Sequence, residues 1–227
     1  GCIPSKALLD SSEHFHNAAH TFAEHGIKLA DLQVDLPQMI KRKQGVVDAN
    51  VQGVAFLMKK NKIDVHQGVG SFVDAHTVKV TPTEGEEKTI TGKNIIIATG
   101  SKPSSFPSMP IDKKRIITST EALTLQEVPK HLIVIGAGVI GAELGSVYAR
   151  IGSKVSFVEF ADSMIPTMDK TMGKELQKAI KKLGADFFFN HKVTKVENTG
   201  DEVHVSIDTP DGKQITLTGD YCLVSVG

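Results

Sequence analysis

The sequence predicts an α/β protein built from two related βαβ-type domains in tandem, and two observations carry that reading. Residues 131–159 read as strand, glycine-rich turn, helix and strand in unbroken order. The strand-rich stretch 78–100 recurs without gaps as 205–227, at an offset of 127 residues.

Residues 1–25 read as a helix. Pro4 suits a first helical turn, and Ala7, Leu8, His14, Phe15, Ala18, Ala19 and Phe22 are compatible with a buried stripe that Gly26 closes. A second helix is expected over about 36–61, with Pro37 in its first turn and Ile40, Val47, Val51, Val54 and Met58 on one face. Its long polar face suits a helix lying across a sheet. From Ile63 the pattern changes to short strands at 65–73, 77–81 and 88–100. The last ends in the continuous apolar run Ile95-Ile96-Ile97-Ala98, expected of a buried strand. Residues 102–118, with Pro103, Pro107 and Pro110, read as a linker.

The central unit follows. Leu132-Ile133-Val134-Ile135 is a strand apolar on both faces, and Gly136-Ala137-Gly138-Val139-Ile140-Gly141 matches G-x-G-x-x-G. Ile140, Leu144, Val147 and Ile151 recur at helical spacing, and a second strand at 154–158 ends in Glu159. Gly136 allows the tight turn, Gly138 lets backbone approach a pyrophosphate, and Gly141 lets helix pack on strand. The free amides of the helix N-terminus, with the helix dipole behind them, attract the phosphates. Glu159 lies 18 residues past Gly141, near the ~20 expected of the acid that binds a ribose 2′-hydroxyl. Its carboxylate repels a 2′-phosphate, and Phe160 and Ala161 offer no basic alternative, so NAD is expected rather than NADP. A helix at about 170–183 and strands from 187 to the end complete the domain.

The two copies share six of 23 aligned positions, with a glycine turn, a T-x-T-G end and a final apolar strand in the same places. This supports a duplicated dinucleotide-binding domain. The second copy has its G-x-G-x-x-G ahead of the strands, whereas residues 1–77 contain none. The missing half of the first copy is expected upstream of residue 1. The chain opens on Gly1-Cys2 and closes on Val226-Gly227 at the end of an apolar strand, so both ends read as cut.

At 227 residues and 40% hydrophobic content, the chain can bury a sizeable core. Lys+Arg and Asp+Glu balance at 26 each, so nothing points to a nucleic-acid or anionic-membrane partner. No apolar run approaches the ~20 residues of a membrane span. Two cysteines, Cys2 and Cys222, make no disulfide framework and suggest a reducing compartment.

Gly1-Cys2-Ile3-Pro4-Ser5-Lys6 is the second informative stretch. A cysteine at a helix N-terminus meets free amides that favour its thiolate, and Lys6 adds positive charge one turn on. From these residues alone, an incidental or buried cysteine is an equal alternative.

GCIPSKALL, Ile97-Ala98-Thr99-Gly100-Ser101 and the segment from Ile135 to Ser146 together resemble the pyridine nucleotide–disulfide oxidoreductase family, on its dihydrolipoamide dehydrogenase branch. The similarity runs in order through the whole chain. It implies tandem Rossmann-like FAD/NAD(P)-binding domains of the glutathione-reductase-like kind: an incomplete FAD-binding domain with the redox-cysteine helix over 1–118, and an NAD-binding domain over 119–227. It also implies oxidation of dihydrolipoamide, carried on a lipoyl domain, by an FAD-containing homodimer attached to a 2-oxo-acid dehydrogenase complex core, with NAD⁺ as acceptor. By this resemblance Cys2 is the flavin-side cysteine of a redox disulfide, Lys6 contacts the flavin, and Glu143 pairs with Lys6. Gly70, Thr99, Gly100 and Ser101 match FAD contacts. Gly136, Ala137, Gly138, Val139, Ile140, Gly141, Ala142, Glu143, Glu159, Val193 and Gly227 match NAD contacts. The other redox cysteine and the family's His–Glu base fall outside the sequence, so the chain alone is expected to be inactive. A bacterial cytoplasm is the expected location, with a mitochondrial matrix as the alternative. The rivals are a reductase of another disulfide or of mercuric ion within the family, and a non-catalytic NAD-binding module.

His14, His16 and His20 suggest a metal site, but no cysteine or well-placed carboxylate completes a set, so no metal is expected. Cys222 reads as a small core residue, Lys41-Arg42-Lys43 as a solvated helix face, and Phe187-Phe188-Phe189 as strand core.

Overall fold

The structure, a computed structural model, describes residues 1–226. Helix α1 (Cys2–His20) holds Pro4 in its first turn, where a missing N–H is no loss. A 3₁₀ turn at Phe22–His25 follows, and Gly26, at φ 75°, stops it in the left-handed region. Helix α2 spans Leu36–Lys60, and its first turns bury Leu36 and pack Met39 and Ile40 against the core that Leu8 and Phe15 enter from α1. Arg42 fastens the two helices, donating to Ala7 O at 3.0 Å and Asp10 Oδ2 at 2.6 Å. The expected apolar stripe does not persist: Val51 and Val54 are 61% and 54% exposed, because among the described residues no apolar layer packs against them.

The chain gathers into two compact units, Asp48–Lys102 and Gly1–Val47 with the residues from Pro103 onward. In the smaller unit β1 (Val69–Asp74), β2 (Thr77–Thr81) and β3 (Lys88–Thr91) form an antiparallel sheet in sequence order. The buried strand expected at 95–98 is corrected here. Those residues form no strand, and Ile96 and Ile97 are 89% and 70% exposed. An apolar run becomes a buried strand only between hydrogen-bonding neighbours, and this unit gives it none.

The larger unit supplies the contrast. Its parallel sheet contains β4 (Ile116–Ile117), β5 (His131–Ile135), β6 (Lys154–Glu159), β7 (Asp186–Phe189) and β11 (Tyr221–Val224), ordered β4-β11-β5-β6-β7. Strand β11 is the counterpart of 95–97 in the repeat, and it pairs with β5 on one side and β4 on the other. Strand β4 lies in the expected linker. Two residues on a sheet edge leave no periodic pattern to read, although Ile116 and Ile117 are both buried. Thr118 then caps the short α3 (Ser119–Ala122), with Glu121 completing a capping box.

Alternation along the parallel strands feeds two cores. Leu132, Val134 and Phe157 face the helical layer of α1, α4 (Val139–Arg150) and α5 (Lys170–Lys182). Ile133, Ile135 and Val158 face a second antiparallel sheet, made of β8 (Lys192–Asn198), β9 (Val203–Asp208) and β10 (Gln214–Gly219). This sheet has the same strand order as β1–β3, and the 127-residue offset carries β2 into β9 and β3 into β10. Cys222 is fully buried in β11, and burial, followed by the charge of Asp112, pushes its thiol far above the usual range.

Candidate active site

The glycine-rich turn joins β5 to α4 at the carboxyl ends of the parallel strands, where an open α/β sheet binds its ligand. Gly136 has φ 96°, and a Cβ there would lie 2.8 Å from Ser225 O. A Cβ on Gly141 would strike Gly136 O and stand 3.0 Å from Val134 Cγ1, so this glycine lets the helix sit on the strand. Gly138 precedes α4, no side chain caps the helix, and the space a Cβ would occupy has no atom within 4 Å. Open amides at a helix N-terminus fit a pyrophosphate. Sequence reasoning gave no role to Gly145, which is pressed onto the ring of the buried Phe157 and holds α4 down on β6.

Glu159, at the end of β6, accepts from Ala137 N at 2.7 Å and from Ala161 N at 2.8 Å. The carboxylate therefore rests on the turn itself. A cavity of about 380 Å³ beside it is lined by Gly136, Glu159, Val193, Phe106, Phe160 and His191, among others. Three sequence-derived positions thus meet in one pocket. Val139 and Ile140 stand exposed at the first turn of α4, while Ala137 and Ala142 are buried beneath it. Gly227 lies outside the described residues.

Lys6 and Glu143 form an ion pair through Glu143 Oε1, joining α1 to the first turns of α4. Ser5, which sequence reasoning passed over, donates to Glu143 Oε2 at 3.1 Å and is 8% exposed. Its signal was its place one turn after Cys2 at a helix start. Cys2 is exposed as the first residue of α1. The cation, the carboxylate and the thiol therefore gather at one end of the α1–α4 pair, the end that also carries the glycine turn.

The positions matched to FAD are arranged differently. Gly70 lies on β1, and Thr99, Gly100 and Ser101 lie in an irregular segment; all four are exposed. Within residues 48–102 they form no closed flavin cradle. His16 and His20 have ring centroids 4.6 Å apart and line a cleft of about 640 Å³ with Glu13 and Arg150. Burial, then the neighbouring His20, holds the His16 imidazole below its usual pKa. Among the described residues no three His, Cys, Asp or Glu side chains are placed to hold a metal.

A family model described as pyridine nucleotide-disulphide oxidoreductase matches residues 1–227. The chain belongs to that family. Among this family's curated members, the mitochondrial dihydrolipoyl dehydrogenase of Pisum sativum is 46% identical over 100% of this chain and 46% of its own length. Dihydrolipoyl dehydrogenase 3 of Pseudomonas putida is 43% identical over 100% of this chain and 49% of its own. Of solved structures, LpdA from Mycobacterium tuberculosis superposes with a TM-score of 0.89 at 27% identity, over 100% of this chain and 49% of that one. The flavoprotein disulfide reductase RclA from Escherichia coli gives 0.76 at 26%, over 100% and 46%. The glutathione-reductase-like α/β fold is thereby established for the described residues. The chain spans about half the length of the curated relatives it matches.

The expected bacterial cytoplasm is corrected by the same relatives. Those of Pisum sativum and Arabidopsis thaliana, at 46% identity, are named mitochondrial, although the Pseudomonas putida protein at 43% is bacterial. A low cysteine count marks reducing conditions and cannot distinguish one reducing compartment from another.

Proposed function

We propose that this chain forms the central part of an NAD-dependent dihydrolipoyl dehydrogenase, which oxidises dihydrolipoamide on a lipoyl domain of a 2-oxo-acid dehydrogenase complex. The parallel pairing of α1 with α4 carries the reading, because it sets Cys2, Lys6 and Glu143 at the end of the pair where the nucleotide turn opens.

Cys2 takes part in thiol–disulfide exchange, in which a dihydrolipoamide thiolate attacks a protein disulfide through a mixed disulfide. Cys222 is fully buried in β11, and the family relationship implies that the partner sulfur of Cys2 lies outside residues 1–227. Lys6 supplies a fixed positive charge one helical turn from Cys2, and Glu143 holds that charge in place. The amides of Gly138 and the first turn of α4 bind the pyrophosphate, while Glu159 receives the ribose 2′-hydroxyl and rejects a 2′-phosphate. NAD⁺, when bound, accepts the hydride; FAD, with Gly70, Thr99, Gly100 and Ser101 as contacts, is the intermediary that the family relationship implies. The division into an FAD-binding part over 1–118 and an NAD-binding part over 119–227, and a homodimeric assembly, belong to the same proposal.

Cys2→Ser in the full-length protein tests it. Dihydrolipoamide turnover should disappear while NAD⁺ binding survives. Undiminished turnover would eliminate the dithiol mechanism.

A further inference from the structure

We infer that Ser5 is a positioning residue that couples Glu143 to the backbone of Cys2. The inference rests on the proposed role of Cys2 as the reactive thiol. Ser5 Oγ stands between two acceptors, Glu143 Oε2 at 3.1 Å and the carbonyl of Cys2 at 3.2 Å. A hydroxyl has one proton, so it satisfies one acceptor at a time. The carboxylate is the stronger acceptor because its bond is charge-assisted. With Glu143 in place the proton points across to α4; when Glu143 is withdrawn, the proton turns back to the Cys2 carbonyl within the first turn of α1.

The surroundings make this hydroxyl decisive for that turn. Ser5 is buried, and its own N–H bonds to Gly1 O at 3.2 Å, so it also closes the first hydrogen-bonded ring of the helix. No side chain caps α1 at Gly1. The first turn of α1 is thus held from the side, through Ser5 and Lys6 onto the two oxygens of one carboxylate. Glu143 accordingly anchors the cation and the side chain of Ser5, whose own N–H closes the first turn, the turn that carries the thiol, on Gly1 O. Both anchor points move together with α4.

The test is the rate of Cys2 alkylation by iodoacetamide across a pH series, after reduction and removal of the reductant, in the full-length protein and in Ser5→Ala, Ser5→Thr, Glu143→Gln and the double variant Ser5→Ala/Glu143→Gln. Ser5→Ala should slow alkylation at neutral pH by about threefold, the scale of one lost hydrogen bond, because a looser first turn presents its amides less well to the thiolate. Ser5→Thr should restore the rate. In the Glu143→Gln background the Ser5→Ala change should shrink, since Ser5 has then lost its charged acceptor. An equal effect in both backgrounds would overturn the coupling. So would a lowered thermal midpoint with an unchanged alkylation profile, which would make Ser5 structural only. A full-length protein that alkylates as described but does not oxidise dihydrolipoamide would overturn the proposed function and leave the coupling standing.

Discussion

Glu13 and Arg150 form an ion pair at 2.9 Å, two helical turns along from Lys6 and Glu143, and both pairs join residues 137 apart in the sequence. A constant offset requires α1 and α4 to run in the same direction, which brings Cys2 and Gly138 to one end of the helix pair. The signs alternate: α1 presents Lys6 then Glu13, and α4 presents Glu143 then Arg150. Sliding one helix by two turns would set Glu13 against Glu143. Exposed pairs contribute little free energy, but this arrangement disfavours the wrong register beside the apolar packing of Leu8, Leu144 and Val147.

A double-mutant cycle on Glu13→Ala and Arg150→Ala should give a coupling of about 0.5 kcal/mol that declines as salt is raised. The value is small because Glu13 is 48% exposed. Urea unfolding of the four proteins measures it. Zero coupling at low salt would remove the pair from the account of register.

The extent to which the sequence was legible follows from how local each signal was. The turn from Gly136 to Gly141 with Glu159 behind it could be read because chain neighbours supply every part of it. The 127-residue repeat showed two alike strand-rich stretches, since alternation and turn glycines are local too, but their antiparallel pairing in one order appears only in the structure. Ile95–Ile97 misled, because an apolar run shows that a strand wants burial and says nothing of whether partners are at hand. Ser5, Glu13 and Arg150 escaped notice because their roles depend on a helix pairing across more than a hundred residues, for which adjacent sequence has no marker.

Glu159→Ala should weaken NAD⁺ binding and narrow the preference over NADP⁺. The substitution removes the proposed ribose acceptor, with the charge that would repel a 2′-phosphate, and the bonds from Ala137 N and Ala161 N that brace the turn. A loss of about 1–3 kcal/mol in NAD⁺ affinity is expected for a charged group with hydrogen-bond partners. Titration calorimetry with each dinucleotide measures both effects. Equal binding of NAD⁺ and NADP⁺ by the unaltered protein would contradict the assigned role.

The two cysteines should separate by reactivity. Cys2 is exposed, and Cys222 is buried with its thiol pushed up by burial. A chromogenic disulfide reagent should titrate one thiol rapidly in the native chain and the second only after denaturant is added. Cys2→Ser should abolish the fast phase. Two fast thiols would mean that β11 opens readily and is not the fixed centre of its sheet.

Asp112 should make stability depend on acid in a defined window. Its Oδ1 accepts from the backbone of Lys114, Arg115 and Ile116 at 2.7–2.9 Å, and its Oδ2 accepts from Asn198 Nδ2 at 2.6 Å, so one side chain sets the entry to β4. Burial raises its pKa, but the bonds from Asn198 and the three amides outweigh burial and hold it below the ordinary carboxylate value. A carboxylate depressed in the folded state binds fewer protons there than in the unfolded chain. Its stabilisation is therefore complete above the unfolded value of about 4 and is lost as pH falls below it. Asp112→Asn cannot accept from Asn198 with its amide nitrogen and should cost about 1 kcal/mol at neutral pH. The gap between the parent and this variant, measured by urea unfolding, should close as pH is lowered from 5 towards 2. A gap that stays constant through that range would show that shape, and not the charge of Asp112, holds β4 in place.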